Sequence, residues 1–188
     1  MEEKNVKKKS HKILKAIIFV LIAVIAGAGT GVIMNMIPNI AKTAPIQTVE
    51  NPNAAIRVSA EEEHYIFEPA ENVERTHVYY NNRFGIEIAA DLYASKEQEA
   101  GKKYPAIIVG PPFGGVKEQG PGVYANQLAQ RGFIVLAIDP AYHGYSGGYP
   151  RYTASTTMYA EDFSAAVDYL GNRDDVDRGK IGVIGICG

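Results

Sequence analysis

"KIGVIGICG" occupies Lys180–Gly188. Residues 181–186 form a short apolar run that leads into a small-residue turn carrying Cys187, the single cysteine of the 188 residues. Gly185-Ile186-Cys187-Gly188 fits the start of a G-x-nucleophile-x-G elbow, where a strand turns sharply into a helix. Such a turn holds the nucleophile in a strained backbone conformation. Small neighbours avoid clashes there, and the next backbone N–H can bind a developing oxyanion. This makes Cys187 the candidate nucleophile and the Gly188 N–H a candidate oxyanion donor. A thiol suits the role because its thiolate is strongly nucleophilic and a helix N-terminus or histidine can lower its pKa. The competing reading is a buried structural thiol, and the position at the end of a buried strand favours the elbow.

Working back from this strand, the chain alternates strand and helix. "THVYYNNRFGIEIAADLYAS" (76–95) holds two β-rich runs separated by Asn81-Asn82 and Gly85, which predicts antiparallel strands near a sheet edge. "YPAIIVG" (104–110) and "FIVLAID" (133–139) are continuous apolar runs, as expected of strands covered on both faces. Between them, "VYANQLAQRG" (123–132) sets Tyr124 and Leu128 one helical turn apart and ends at Gly132, a C-cap residue. "TTMYAEDFSAAVDYLGNR" then places Tyr159, Phe163, Ala166, Val167 and Leu170 at helical spacing, with Gly171 as the stop and "DDVDRGK" as a turn. Strand–helix–strand–helix–strand implies right-handed crossovers and a mostly parallel sheet. Residues 73–188 are therefore expected to be an α/β domain with antiparallel first strands.

Ligands bind beyond the carboxyl ends of parallel strands, and two more strand ends carry unusual residues. In "GPPFGG" (110–115), Pro111 and Pro112 lack an N–H. The first backbone donor after them is Phe113, the second oxyanion candidate, with Gly114 as runner-up. "DPAYHGYSGG" (139–148) contains Asp139, His143 and Ser146. These are read as turn-building residues rather than a triad, since Asp and Ser in such loops bond nearby backbone. Lys117 and Glu118 are expected to be a solvated or locally paired start to the following helix. Tyr142, Tyr145 and Tyr149 either cover the loop or form an aromatic rim.

The formal net charge of −2 is unevenly spread. Residues 1–15 hold six lysines against two glutamates, a local charge of +4, while the other 13 Lys/Arg and 19 Asp/Glu carry −6. An acidic body without a basic stripe gives no support to nucleic-acid binding. A single cysteine excludes an internal disulfide, and the Cys/His spacing offers no zinc cluster. "AIIFVLIAVIAGAGTGVIM" (16–34) is uncharged and nearly long enough to cross a hydrocarbon core. With lysines before it and none soon after, residues 16–37 are expected to be a single signal-anchor with residues 1–15 in the cytoplasm. A cleaved signal peptide ending at Ala26–Ala28 is the alternative, in which case the domain is secreted. Residues 38–72, with Pro38, Pro45, Pro52 and three consecutive glutamates, are expected to be a flexible linker.

From about Tyr79 to Gly188, including "PAIIVGPPFGGVKEQ" and "KIGVIGICG", the chain resembles the α/β-hydrolase superfamily, in its dienelactone-hydrolase-like branch. The resemblance implies hydrolysis of a small-molecule ester or lactone through a cysteine or serine at the elbow, with no metal or organic cofactor. It puts Cys187 on the nucleophile and the N–H groups of Gly188 and Phe113 on the oxyanion donors. In this superfamily the acid and histidine follow the nucleophile. His11, His64, His77 and His143 all precede Cys187, so the sequence corresponds to the first half of such a domain. A thiol without an orienting histidine is mostly protonated at neutral pH, so this stretch alone is expected to be inactive. The alternative is a non-enzymatic, membrane-anchored half-domain that pairs through its open sheet edge.

Overall fold

The five residues of β4, Ile134–Ile138, face two ways along a pleated strand and set the layering around them. In the computed structural model, which describes residues 51–58 and 64–187, Ile134, Leu136 and Ile138 enter one core while Val135 and Ala137 enter another. All five are fully buried. The strand lies centrally in a five-stranded sheet of order β1-β2-β4-β3-β5. The other strands are β1 (Val73–Asn81), β2 (Glu87–Ser95), β3 (Tyr104–Gly110) and β5 (Val176–Gly185). β1, β2 and β4 pair antiparallel, whereas β4, β3 and β5 run parallel. This mixed sheet matches the expected fold class.

Two helices cover the sheet: α1 (Gly120–Ala129) and α2 (Thr156–Gly171). The two cores lie on opposite faces of the sheet. Ile88, Ile108, Leu136 and Leu170 belong to the α2 side, and Tyr93, Val109, Ala125, Ala129, Val135 and Ala137 to the α1 side, where the helix contributes small residues. Small residues let α1 approach the sheet closely, so a Cβ on Gly122 would lie 3.0 Å from the Tyr93 hydroxyl of β2, and 2.8 Å from the Lys117 carbonyl oxygen of the preceding loop. For this reason α1 packs through Gly122, Ala125 and Ala129, while Tyr124 is half exposed. The helix ends at Ala129 with Gln130 as its C-cap, and Gly132, expected at the cap, lies two residues further on with φ +89°. On α2, the Ser155 hydroxyl accepts the Met158 N–H as an N-cap.

Three expectations need correction or relocation. β5, read both as a buried strand and as the open edge of the sheet, is an edge strand of the described sheet, with Val183 54% exposed. The turn expected over 174–180 forms an outward bulge, since Val176 pairs with Tyr104 and the next pair is Ile181 with Ala106. Part of the range read as a flexible linker is docked. Ala55 donates to the Glu87 carboxylate at 2.9 Å, Ile56 donates to the Tyr145 carbonyl at 2.8 Å, and Ala70 donates to Asn126 Oδ1 at 3.0 Å. The backbone of those segments finds partners on the domain, so they extend it. The basic segment 1–15, the anchor 16–37 and the rest of the linker before Asn51 lie outside the described residues. Among the described residues, no helix is long and apolar enough to cross a membrane.

Two buried carboxyls tie loops to this frame. Asp162 of α2 accepts from Asn82 Nδ2 at 3.0 Å and from the Ala141 N–H at 2.8 Å. Asp139, at the end of β4, accepts from the N–H groups of Lys117 at 2.8 Å and Tyr145 at 2.9 Å. Burial raises both groups. It carries Asp162 to about 6 and, with the Glu118 charge nearby, Asp139 to about 7. A carboxyl whose folded pKa exceeds its unfolded value near 3.9 contributes stability below that value and loses it as pH rises through the folded pKa. The melting temperature should therefore fall between pH 5 and pH 8 in a scanning experiment, and a rise across that window contradicts the assignment. Leu170 is fully buried between α2 and the sheet. Leu170→Ala should cost about 2–5 kcal/mol in urea unfolding.

Candidate active site

The strand-end loops meet where β3 and β5 finish side by side. Gly110 pairs with Gly185, and the Ile186 N–H donates to the Gly110 carbonyl at 3.2 Å. One residue later Cys187 adopts φ +63°, a left-handed conformation that residues with a Cβ seldom occupy. Its thiol is exposed. This is the backbone geometry expected of an elbow. Gly188 lies outside the described residues, so its N–H is not placed.

On the β3 side, Pro111 and Pro112 lead into a turn closed by the Gly115 N–H on the Pro112 carbonyl at 2.8 Å. Gly114 supplies the positive φ, +72°, that the turn requires. Phe113 sits at its tip, 70% exposed, and among the described residues no acceptor takes its N–H. Phe113 and Cys187 line one cavity of about 280 Å³, together with Pro111, Ser155, Tyr159 and Phe163. The cavity is close-fitting at its base. A Cβ on Gly110 would lie 2.2 Å from the Phe163 ring, so only glycine lets that ring rest against the strand end. A larger cleft of about 420 Å³ lies elsewhere, between the end of β1 and α2. It contains neither Cys187 nor Phe113.

The 139–148 loop is structural, as its residue types suggested. The Ser146 hydroxyl donates to the Asp139 carbonyl at 2.7 Å and accepts the Ala89 N–H at 2.8 Å. Gly144 is required there because a Cβ would fall 2.2 Å from the Asp139 carboxyl carbon. His143 is buried, donates from Nδ1 to the Ala141 carbonyl at 3.0 Å, and meets the Tyr152 and Tyr159 rings edge-on. None of these three groups lines the Cys187 cavity.

Lys117 and Glu118, expected to be solvated or locally paired, are paired with each other but not solvated. Both are nearly inaccessible, at 2% and 3% exposure. The ammonium is ion-paired to Glu118 at 2.8 Å and to Asp91 of β2 at 3.2 Å. Asp91 also accepts from the Tyr65 hydroxyl and pairs with His77 Nδ1, both at 2.7 Å. Burial would raise the Asp91 carboxyl, but those partners hold it below its ordinary range. Burial likewise opposes the Lys117 charge, yet the carboxylates of Asp91, Asp139 and Glu118 keep its pKa above the usual value. Sequence reasoning missed this cluster, and it read Tyr159 and Phe163 only as residues at helical spacing, without the cavity they line. One signal was available: a lysine–glutamate pair one residue after Gly114-Gly115, between apolar strands. Among the described residues, no group of His, Cys, Asp and Glu side chains could hold a metal ion.

Residues 85–187, more than half of the chain, match the family model described as X-Pro dipeptidyl-peptidase (S15 family). The uncharacterized protein PA2218 of Pseudomonas aeruginosa is 54% identical over 116 residues, covering 62% of this chain and 31% of PA2218. The PA2218 crystal structure superposes with a TM-score of 0.67 at 49% identity, covering 71% of this chain and 41% of that one. The uncharacterized protein YcjY of Escherichia coli is 41% identical over 107 residues, 57% of this chain and 35% of YcjY. The α/β hydrolase GrgF from Penicillium sp. sh18 is similar in structure, with a TM-score of 0.56 and 25% identity, covering 61% of this chain and 38% of GrgF. The chain spans about a third of the length of the curated relatives it matches. By its family match and its mixed sheet, the chain belongs to the family described as X-Pro dipeptidyl-peptidase (S15), within the α/β-hydrolase superfamily that its sequence resembles.

Proposed function

We propose that the full-length protein is an exported hydrolase of carboxylic esters or lactones with Cys187 as its nucleophile. The observation that carries this reading is the exposed thiol in a left-handed backbone at the end of β5, on a cavity shared with Phe113. In this mechanism the thiolate adds to the substrate carbonyl carbon. The carbonyl oxygen takes the negative charge and accepts from the Phe113 N–H and, at the expected second donor, the Gly188 N–H. The tetrahedral adduct collapses with loss of the alcohol, which takes a proton. Water then attacks the thioacyl enzyme, releases the acid and restores the thiol. The residue that accepts the thiol proton is expected beyond Gly188, by the superfamily's order of nucleophile, acid and histidine.

The cavity walls suggest which acyl group is taken. Pro111, Phe113, Ala154, Tyr159 and Phe163 are apolar over most of their surface, and the polar side-chain groups among them include the hydroxyls of Ser155, Thr156 and Tyr159. A dipeptide released from a peptide N-terminus carries an ammonium group, and burying it without a carboxylate is costly. Among the described residues, no carboxylate lines this cavity. A neutral, apolar acyl group fits better.

The same proposal places the domain outside the cytoplasm, held by residues 16–37. Its support is the uncharged run 16–34 behind six lysines. Two measurements test the two parts. The full-length protein should hydrolyse p-nitrophenyl butyrate faster than glycyl-prolyl p-nitroanilide, and Cys187→Ala should lower kcat/KM on the ester by at least about 10³-fold. Unchanged turnover removes Cys187 from the mechanism, and preference for the anilide overturns the ester assignment. In membrane fractions, the protein should resist alkaline carbonate extraction, and full release into the supernatant overturns the anchor.

A further inference from the structure

We infer that Lys117 is a positioning residue for the reaction, clamping from behind the turn that presents the Phe113 N–H to the cavity. This rests on the reading of Phe113 and Cys187 given under the proposed function.

The clamp follows from the route of the chain. After β3 the backbone turns at residues 111–115, comes back over the end of β4, and enters α1. At Lys117 it is held from three directions. The Lys117 N–H donates to Asp139 Oδ1 at 2.8 Å, which fixes the chain to the end of β4. The ammonium reaches past β4 to Asp91 on β2, at 3.2 Å from Oδ1 and 3.3 Å from Oδ2. The Lys117 carbonyl lies under the first turn of α1, so close to Gly122 that no Cβ fits between them. Asp91 cannot move aside, since β2 is paired on both edges and its carboxylate also binds Tyr65 and His77. Aromatic faces close the remaining sides, with the ammonium 5.3 Å from the Tyr65 ring centre and 5.1 Å from that of Tyr145.

Stability alone is a poor reason for this arrangement. Desolvating a lysine and its carboxylate partners costs much of what their attraction returns, and apolar replacements of buried ion pairs are often neutral or stabilising. An apolar side chain would seal the gap but would slide, whereas an ammonium fixed by Asp91 and Glu118 has a defined location. Phe113 is only four residues away, across a turn closed by the Gly115–Pro112 hydrogen bond. Oxyanion stabilisation depends on donor placement, and a displacement of about 1 Å costs on the order of 10²-fold in rate.

The test uses the full-length protein with p-nitrophenyl butyrate as substrate and a trifluoromethyl ketone as a reversible thiol adduct that develops the same oxyanion. Lys117→Met should lower kcat by about 10- to 100-fold with KM within about 2-fold, and should weaken the ketone in proportion to kcat. Asp91→Asn keeps the shape of the partner and removes its charge. It should give the same split at about 10-fold in kcat, and it stands as the measurement if the methionine variant does not fold. Unchanged kcat in Asp91→Asn overturns the proposal, as does a loss in which KM, ketone affinity and melting temperature move together. If Cys187→Ala retains full turnover, it is the underlying reading of the site that fails. If Cys187 is essential and Lys117→Met is fully active, the positioning role alone fails.

Discussion

Asp139 ends β4 with its carboxylate wholly removed from water, and a carboxyl group so placed must find donors. It takes one from each neighbouring strand-end loop: the Lys117 N–H from the segment after β3 and the Tyr145 N–H from the segment after β4. Its own carbonyl receives the Ser146 hydroxyl, which in turn accepts from Ala89 on β2. Three strands and two loops are thereby referred to a single residue. The cavity beside Cys187 inherits its rigidity from that arrangement, because the turn carrying Phe113 begins where β3 ends and stops where Asp139 holds it.

The two faces of the sheet serve different ends. On the α1 side, alanines and a glycine bring helix and sheet close together, with Gly122 near the Tyr93 hydroxyl of β2, and the same glycine sits close to the Lys117 carbonyl. On the α2 side, the helix passes Tyr159 and Phe163 along the cavity at the β3–β5 junction. There Phe163 rests against Gly110, where one added methyl group would collide with the ring.

The buried charges follow a similar logic. Lys117, Glu118 and Asp91 are nearly inaccessible, yet each is matched within hydrogen-bonding reach. Such groups add little net stability for the desolvation they require. Their effect is on geometry, because a charged group in a low-dielectric setting tolerates few alternative positions. The clustering of these groups behind one turn, rather than across the core, is what ties them to the site in front of it.

Much of this molecule was legible in one dimension. Alternating apolar runs and glycine stops marked strands, helices and the antiparallel start, and Gly-x-Cys-Gly at a strand end marked the turn that places Cys187 in a left-handed backbone. Those signals are local, since residue periodicity and turn chemistry depend on neighbours a few positions away. Lys117 was not legible in that way. Its partner Asp91 is 26 residues earlier, and the carboxylate that takes its N–H is 22 later, so a lysine after a glycine turn looked solvated or at most paired with its neighbour. The docking of residues 51–58 on the 139–148 loop and the small-residue face of α1 escaped for the same reason. Whether a charged or apolar group is buried depends on what the fold brings against it, and that is settled only when distant segments meet.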